Sequence, residues 1–363
     1  MEVMMAIVEK DFRRIPDILK QAGVNRPMIV CGKTLPKRLP EEYRAALPEQ
    51  AVWFDGFSPN PRYEDVMDGV ARFRENRCDG LISIGGGSAI DVAKCIKLYC
   101  KMPEGVLCLE QPYEDTGVFH LAIPTTAGTG SEATHFAVIY YQGVKQSVHH
   151  ESILPQAAIL EEKLLETLPA YQRKATALDA LCQAIESIWS MKANQESIRY
   201  AESAITMLLP HIRAYAEGDN RVIGYMLMGS HLAGQAINIT TTTAPHAMSY
   251  KLTTLFGISH GHAVALCMQG VWAYMAEHRD ACREPQRLEQ ALHLLNRLFG
   301  VATVQDAAEV FSSLYRRLEL ETPAPTEEQL TALAGSVNET RLKNHPVTLD
   351  RAAIEHIYRS VLR

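Results

Sequence analysis

The sequence predicts an α/β domain followed by an all-α domain, and three observations carry that expectation. Short β-type runs alternate with amphipathic helical stretches over the first 160 residues. From about residue 161 the β signal stops, and apolar residues recur at helical spacing to the end of the chain. The third observation is length, because 363 residues exceed what a single hydrophobic core encloses. The boundary is placed between 162 and 163, giving domains 1–162 and 163–363.

Taken in order, "RPMIVCG" (26–32) reads as a strand before a helical stretch at 35–47, and "AVWFDGF" (51–57) as a strand before a helical 62–77. "DGLISIGGGS" (79–88) is a strand ending in glycines that leads into the helical "AIDVAKCIKLYC", and "HLAIPTT" (120–126) follows as another strand. "THFAVIYY" and "QAAILE" read as further strands flanking a loop. Strands alternating with helices point to a parallel sheet covered on both faces. In the second half, "ATALDALCQAIESIWSM", "SIRYAESAITMLLPHIRAYAEG" and "VIGYMLMGSHLAGQAINIT" carry helical spacing, with breaks at "ETPAPTEEQ" and "KNHPVTLD". No internal repeat or low-complexity segment interrupts either half.

Composition narrows the function classes. Apolar residues make up 47% and charged residues 21%, the balance of an ordinary soluble globular protein. A net charge of −6 argues against a nucleic-acid binder, which would show a basic face. None of the eight cysteines forms a CxxC pair, and most lie in apolar runs, the pattern of reduced, buried thiols in a cytosolic protein. The first residues lack the basic start and long apolar segment of a signal peptide. No run reaches the roughly eighteen apolar residues a membrane span needs. The expectation is a cytoplasmic chain with neither a nucleic-acid nor a membrane partner.

"SIGGGSAIDVAK" places three glycines directly after a strand and Ser88 at a helix start. Glycines let backbone N–H groups approach an anion, and a helix N-terminus adds partial positive charge. Ser88 and Asp91 have capping-box spacing, so a tight turn with a well-capped helix is the plainer alternative. A second Gly-rich loop, "PTTAGTGSEAT" (124–134), follows another strand. Two such loops at the carboxyl ends of parallel strands suggest a dinucleotide crevice, although the spacing GxGxxG is absent.

Three of the thirteen histidines, His246, His260 and His262, gather in "TTTAPHAMSYKLTTLFGISHGHAVAL" (241–266). Asp179 and Gln183 in "LDALCQAIES" are one helical turn apart and share a face. Two imidazoles and a carboxylate suit a divalent transition metal, with the glutamine amide oxygen a weaker fourth donor. The alternative leaves Asp179 as a helix-surface acid and His246 as a satisfied core histidine.

These stretches, with "FDGFSPNP" (54–61), "GGGSAIDVAK" (85–94), "AIPTTAGTGSE" (122–132) and "PHAMSYKLTTLFGISHGHAVA" (245–265), occur in one order over nearly the whole chain. In them the chain resembles the iron-containing (group III) alcohol dehydrogenases, within the dehydroquinate-synthase-like fold. The resemblance implies an N-terminal dinucleotide-binding domain, an all-α metal-binding domain, and a cleft where an aldehyde or primary alcohol exchanges hydride with NAD(P)H. It implies Fe2+ as the first choice of divalent metal and Zn2+ as the second, and a homo-oligomer, a dimer first. By position, Asp179, Gln183, His246 and His260 fall on the metal ligands. Gly86, Gly87 and Ser88 fall on the pyrophosphate loop, and Asn60, Thr125, Thr126 and Lys145 on further cofactor contacts.

Three departures qualify the carry-over. Gln183 stands where the family usually has histidine, and Tyr250 where a further histidine is common. Gly32 stands where relatives that prefer NAD commonly carry aspartate, so a 2′-phosphate would not be repelled and Lys33 lies close by. Protonation of the alkoxide would then pass through Tyr250 or His262; packing is the alternative role for both, and for Tyr250 an equal one. "CQAIES" and the histidine stretch resemble the branch that includes phosphonoacetaldehyde reductases. Lys251, Arg341, Lys343 and His345 are the basic residues available for an anionic aldehyde, each singly readable as an ordinary solvated base. Other small aldehydes (lactaldehyde, succinate semialdehyde, simple alkanals) remain alternatives, as do a dehydroquinate-synthase-like lyase and a non-catalytic relative without metal.

Overall fold

A computed structural model describes residues 7–362. Residues 1–6, on which the leader expectation partly rests, and Arg363 lie outside the described residues. The chain divides into two compact units. The first comprises Met1–Thr126 and Gly130–Glu166, the second Ala127–Thr129 and Thr167–Arg363.

In the first unit the strands are β1 (Ile7–Glu9), β2 (Pro27–Cys31), β3 (Val52–Phe54), β4 (Gly80–Gly85), β5 (Phe119–Pro124), β6 (Phe136–Tyr141), β7 (Val144–His149) and β8 (Ala157–Ile159). Six of them form one parallel sheet in the order β1-β8-β5-β4-β2-β3. Its helices of two turns or more are α1 (Ile15–Ala22), α2 (Tyr63–Glu75) and α3 (Gly87–Tyr99). Successive side chains of a strand point to opposite faces. Accordingly Met28 and Val30 join Leu81, Val92 and Ile96 in one core, while Ile29 and Cys31 join Ile82, Ile84, Leu121 and Ile15 in the other. Both faces are covered, which is why β2 and β4 are apolar without alternation.

Three local expectations are corrected. The stretch 35–47 is two one-turn helices, Leu35–Arg38 and Glu41–Arg44, because Pro40 cannot continue the first. "THFAVIYY" supplies β6 and "QAAILE" supplies β8, but the segment between them is a strand too, β7, paired antiparallel with β6. Their turn is Gln142–Gly143, both left-handed with φ 51° and 75°, the two-residue turn whose twist suits a hairpin. Finally, Ser88 and Asp91 make no capping box. α3 starts at Gly87 after an N-cap Gly86 with no side-chain cap, and Asp91 instead accepts from Ser131 Oγ (2.6 Å) and Val138 N–H (2.9 Å). Beside it Lys94, fully buried, donates to Ser131 Oγ, Thr134 Oγ1 and the Phe136 carbonyl at 2.8–3.0 Å. Burial pulls this ammonium down to about 8, against the pull of Asp91 and Glu132.

Among the described residues the named elements of the second unit are all helices. Its helices of two turns or more are α4 (Ala170–Trp189), α5 (Gln195–Leu208), α6 (Ile223–Thr240), α7 (Ala244–Phe256), α8 (His260–Glu277), α9 (Pro285–Phe299), α10 (Val304–Arg317), α11 (Glu327–Gly335) and α12 (Arg351–Val361). α4 is the axis. Every residue from Ala177 to Trp189 is buried, and α5, α6 and α8 pack around it. A helix apolar on all sides belongs in a core, so the polar residues on α4 need an explanation. Among the described residues no helix is long and apolar enough to cross a membrane.

Candidate metal centre and dinucleotide loop

α4 contributes Asp179, Gln183 and Glu186, which share a face because seven residues are almost two full turns. α7 contributes His246 from its first turn, and α8 contributes His260 as its first residue. Gly257 ends α7 in the left-handed region at φ 67°, turning the chain into α8. The next glycine serves close approach. A Cβ on Gly261 would lie 2.1 Å from the Ala175 carbonyl oxygen and 2.7 Å from Asp179 Cβ, so only glycine lets α8 bring His260 down onto Asp179.

Ligand atoms of Asp179, His246 and His260 all lie within 4.8 Å of one another. Asp179 Oδ1 stands 3.3 Å from His246 Nε2. Both atoms, and Gln183 Oε1 as well, are buried without a hydrogen-bond partner. Gln183 Nε2 donates to the Thr129 carbonyl at 3.4 Å, which leaves the amide oxygen as its ligating end. The rings of His246 and His260 meet edge to face at 5.3 Å, and His260 Nδ1 lies 3.4 Å from Ser249 Oγ. A carboxylate, an amide oxygen and two imidazoles gathered here, with Asp179 Oδ1, Gln183 Oε1 and His246 Nε2 orphaned together, fit a divalent transition metal. Burial disfavours charge on His246, but Glu186 and Asp179 outweigh it and raise the imidazole to about 9. Burial likewise pushes Asp179 up, and His246, His260 and Gln183 together pull it below the usual carboxylate value.

Tyr250 is drawn into this group. Its ring stacks on His260 at 5.8 Å and 9°, and its hydroxyl accepts from Arg341 Nη1 at 2.8 Å, with the guanidinium 5.1 Å from the ring centroid. His262 is not. Its Nδ1 lies 3.2 Å from the Tyr171 hydroxyl and its Nε2 3.0 Å from that of Tyr315, and burial lowers it to about 4. Tyr171 also accepts from the Ser259 N–H at 2.9 Å. Lys251 and Lys343 are exposed. His345 cannot serve as a cation, because it is fully buried edge-on to Trp189 with both ring nitrogens unpartnered, and burial depresses it to about 3.

Two residues that the sequence reading passed over complete the surroundings. Glu186, fully buried, meets Nδ1 of His246 through Oε2 and accepts from the Thr243 N–H (2.7 Å) and Oγ–H (2.8 Å) through Oε1. Asn344 Nδ2 donates to the Thr240 carbonyl (2.8 Å), Thr241 Oγ1 (3.1 Å) and the Thr242 carbonyl (3.1 Å), while its Oδ1 accepts from Ser190 Oγ (2.9 Å). It thereby clasps a turn in which Thr241 holds a strained φ of 56°. Glu186 was signalled by its spacing from Asp179, whereas nothing in the sequence signals Asn344.

In the first unit, β4 runs through Gly85 and Gly86 into the N-terminus of α3, which carries Gly87 and Ser88. Cβ atoms on Gly85 and Gly86 would come within 2.6 Å of Ala89 Cβ and 3.4 Å of Thr126 Cγ2, so a bare backbone lines this cradle. Thr125 joins it through its N–H, which donates to the Gly85 carbonyl at 3.0 Å. Asn60 sits in the loop after β3 at a left-handed φ of 58°, and the following Pro61 carbonyl accepts from Tyr140, the residue opposite Lys145 in the hairpin. A glycine cradle at an uncapped helix N-terminus fits a pyrophosphate.

The profile of the iron-containing alcohol dehydrogenases matches residues 5–162, and that of the C-terminal part of the Fe-containing family matches 174–362. A protein of Escherichia coli named as the probable alcohol dehydrogenase EutG is 36% identical over 62% of this chain, and the match spans only 58% of that relative's length. The phosphonoacetaldehyde reductase of Streptomyces viridochromogenes is 30% identical over 81% of this chain and 76% of its own. Among solved structures, the sulfoacetaldehyde reductase of Bifidobacterium kashiwanohense in complex with NAD+ superposes with a TM-score of 0.87 at 26% identity, covering 98% of this chain and 96% of that one.

Proposed function

Because the chain belongs to the iron-containing alcohol dehydrogenase family, we propose that it interconverts a small anionic aldehyde and the primary alcohol, with phosphonoacetaldehyde reduction to 2-hydroxyethylphosphonate as the best-supported reaction. The observation that carries the substrate is Arg341 beside Tyr250 on the stack over His260. A guanidinium offers five N–H donors in a planar fork, and Tyr250 takes one of them. The others suit the anionic end of a short aldehyde whose carbonyl reaches the centre. Two relatives whose names specify a phosphonate- and a sulfonate-bearing acetaldehyde support the same class.

Asp179, Gln183, His246 and His260 would hold the metal, Fe2+ first and Zn2+ second, which supplies Lewis-acid polarisation of a carbonyl when bound. The nicotinamide supplies the hydride. The remaining work falls to the chain. Gly86, Gly87, Ser88, Thr125 and Thr126 bind the pyrophosphate and its neighbourhood, with Asn60 and Lys145 as further contacts. Open space around Gly32 accommodates a 2′-phosphate, so NADPH serves as well as NADH. Tyr250 Oη, receiving the Arg341 N–H, is the proton donor to the substrate oxygen. Cytoplasmic residence and a homodimer belong to the same reading.

The test is nicotinamide consumption by protein loaded with Fe2+ or Zn2+, with phosphonoacetaldehyde and propanal compared. We expect kcat/KM for the phosphonate to be higher by about tenfold or more, one charge-assisted contact's worth. Equal values would remove the anionic substrate. No consumption with any aldehyde would remove the dehydrogenase in favour of a lyase of the same fold.

A further inference from the structure

Glu186 is a fully buried carboxylate on the central helix of the second unit, and its side chain bonds Thr243 and His246, on the cap and first turn of α7. We infer that Glu186 is the positioning residue of the metal centre: it keeps the His246 proton on Nδ1, so that Nε2 presents its lone pair toward Asp179, and it docks the start of α7 on α4. The inference rests on the reading that this centre holds a divalent ion.

The tautomer argument is short. A metal-ligating imidazole is neutral, whatever charge it holds without the ion, so it carries one ring proton, and the partner of one nitrogen decides where that proton sits. A carboxylate oxygen only accepts, so the nitrogen facing Glu186 Oε2 must be the donor, and that is Nδ1. Nε2 is then the bare nitrogen, which is the atom found buried, unpartnered and 3.3 Å from Asp179 Oδ1. The second carboxylate oxygen is equally committed. Oε1 receives both the N–H and the hydroxyl of Thr243, and that hydroxyl in turn accepts from Trp189 Nε1 at 3.0 Å. Three donors converge on two oxygens, and all three leave α7 and its cap for α4. An amide in place of the carboxylate has one accepting oxygen and an NH2 group, so one of those donors would face another donor.

The experiment measures binding of Co2+ or Zn2+ alone, without substrate, to the wild type, Glu186→Gln and Asp179→Ala, together with the 15N shifts of the His246 ring. We expect Glu186→Gln to weaken the ion by about 10–100-fold, the range for partners of metal-ligating histidines, and to lower the fraction of His246 protonated on Nδ1. A Glu186→Gln protein that melts earlier but binds the ion as tightly, while Asp179→Ala does not bind, would overturn this inference alone and leave the metal reading intact. Wild type that binds neither ion overturns both. Should Glu186→Gln not fold, Glu186→Asp carries the same readout, since it keeps the charge but withdraws it by one methylene, and a loss between wild type and tenfold is expected.

Discussion

Asp179 Oδ1 and His246 Nε2 face one another across 3.3 Å, both buried and neither hydrogen-bonded. Buried polar atoms without partners destabilise a fold, and a cation between them would remove that cost. Adding Zn2+ or Co2+ to about 1,000 times its Kd should therefore raise the unfolding free energy by about 4 kcal/mol. Denaturant unfolding with and without a chelator measures this. The increment should vanish in Asp179→Ala, and indifference of the wild type to metal would defeat the prediction.

Gln183 offers the weakest donor of the four. Gln183→His replaces an amide oxygen with an imidazole, and we expect the ion to bind about tenfold tighter, near 1.4 kcal/mol. The price is the 3.4 Å bond to the Thr129 carbonyl, which is long and contributes little. Competition with a chromophoric chelator gives the ratio. Weaker binding would show that Gln183 is fitted to this site rather than tolerated in it.

Gly261→Ala puts a methyl 2.1 Å from the Ala175 carbonyl, backbone that cannot move aside. The expected loss is about 3 kcal/mol of stability, together with loss of metal binding as His260 is lifted off Asp179. A variant that keeps both its unfolding midpoint and its metal affinity would contradict the crossing described above.

Arg341 and Tyr250 should separate in kinetics. Arg341→Ala is expected to raise KM for phosphonoacetaldehyde roughly 10–100-fold, as for loss of a charged contact, with a far smaller effect on KM for propanal. Tyr250→Phe should lower kcat for both aldehydes, because the proton donor is lost whatever the substrate's other end. Equal KM effects on the two aldehydes would leave Arg341 as packing.

Stability should fall in acid through buried neutral histidines. Burial holds His345 at about 3 and His262 at about 4, whereas in the unfolded chain each titrates near 6.5. Below about pH 6.5 the unfolded state thus binds more protons, and unfolding free energy drops by about 1.4 kcal/mol per pH unit for each histidine. The drop levels off near pH 4 for His262 and near 3 for His345. Unfolding midpoints at pH 7, 6 and 5 should decline less steeply in His345→Leu; an unchanged slope would count against the buried neutral ring.

The sheet was legible because its strands are buried on both faces and so read as unbroken apolar runs, as in "MIVC" and "LISI". β7 was not, because "VKQSVH" buries only one of its six residues and its turn is Gln-Gly instead of the stronger Asn-Gly signal. The metal centre was half legible. Asp179, Gln183, His246 and His260 stand out by residue type, yet Glu186 on the same face looks like any helical acid until α7 is seen to close over it. His262 misleads for a simple reason: two residues along a helix is about 200° around it, which sends its ring to Tyr171 and Tyr315 instead of to Asp179 and His246.

One consequence concerns the order in which the protein is made. All four proposed ligands precede residue 261, but the amide that clasps the turn at Thr240–Thr242 comes from Asn344, 104 positions after the first of those threonines. While the chain is emerging from the ribosome, the ligands exist for some time with that turn unclasped and Thr241 free to relax its backbone. The centre is therefore completed late in synthesis, by a residue outside it.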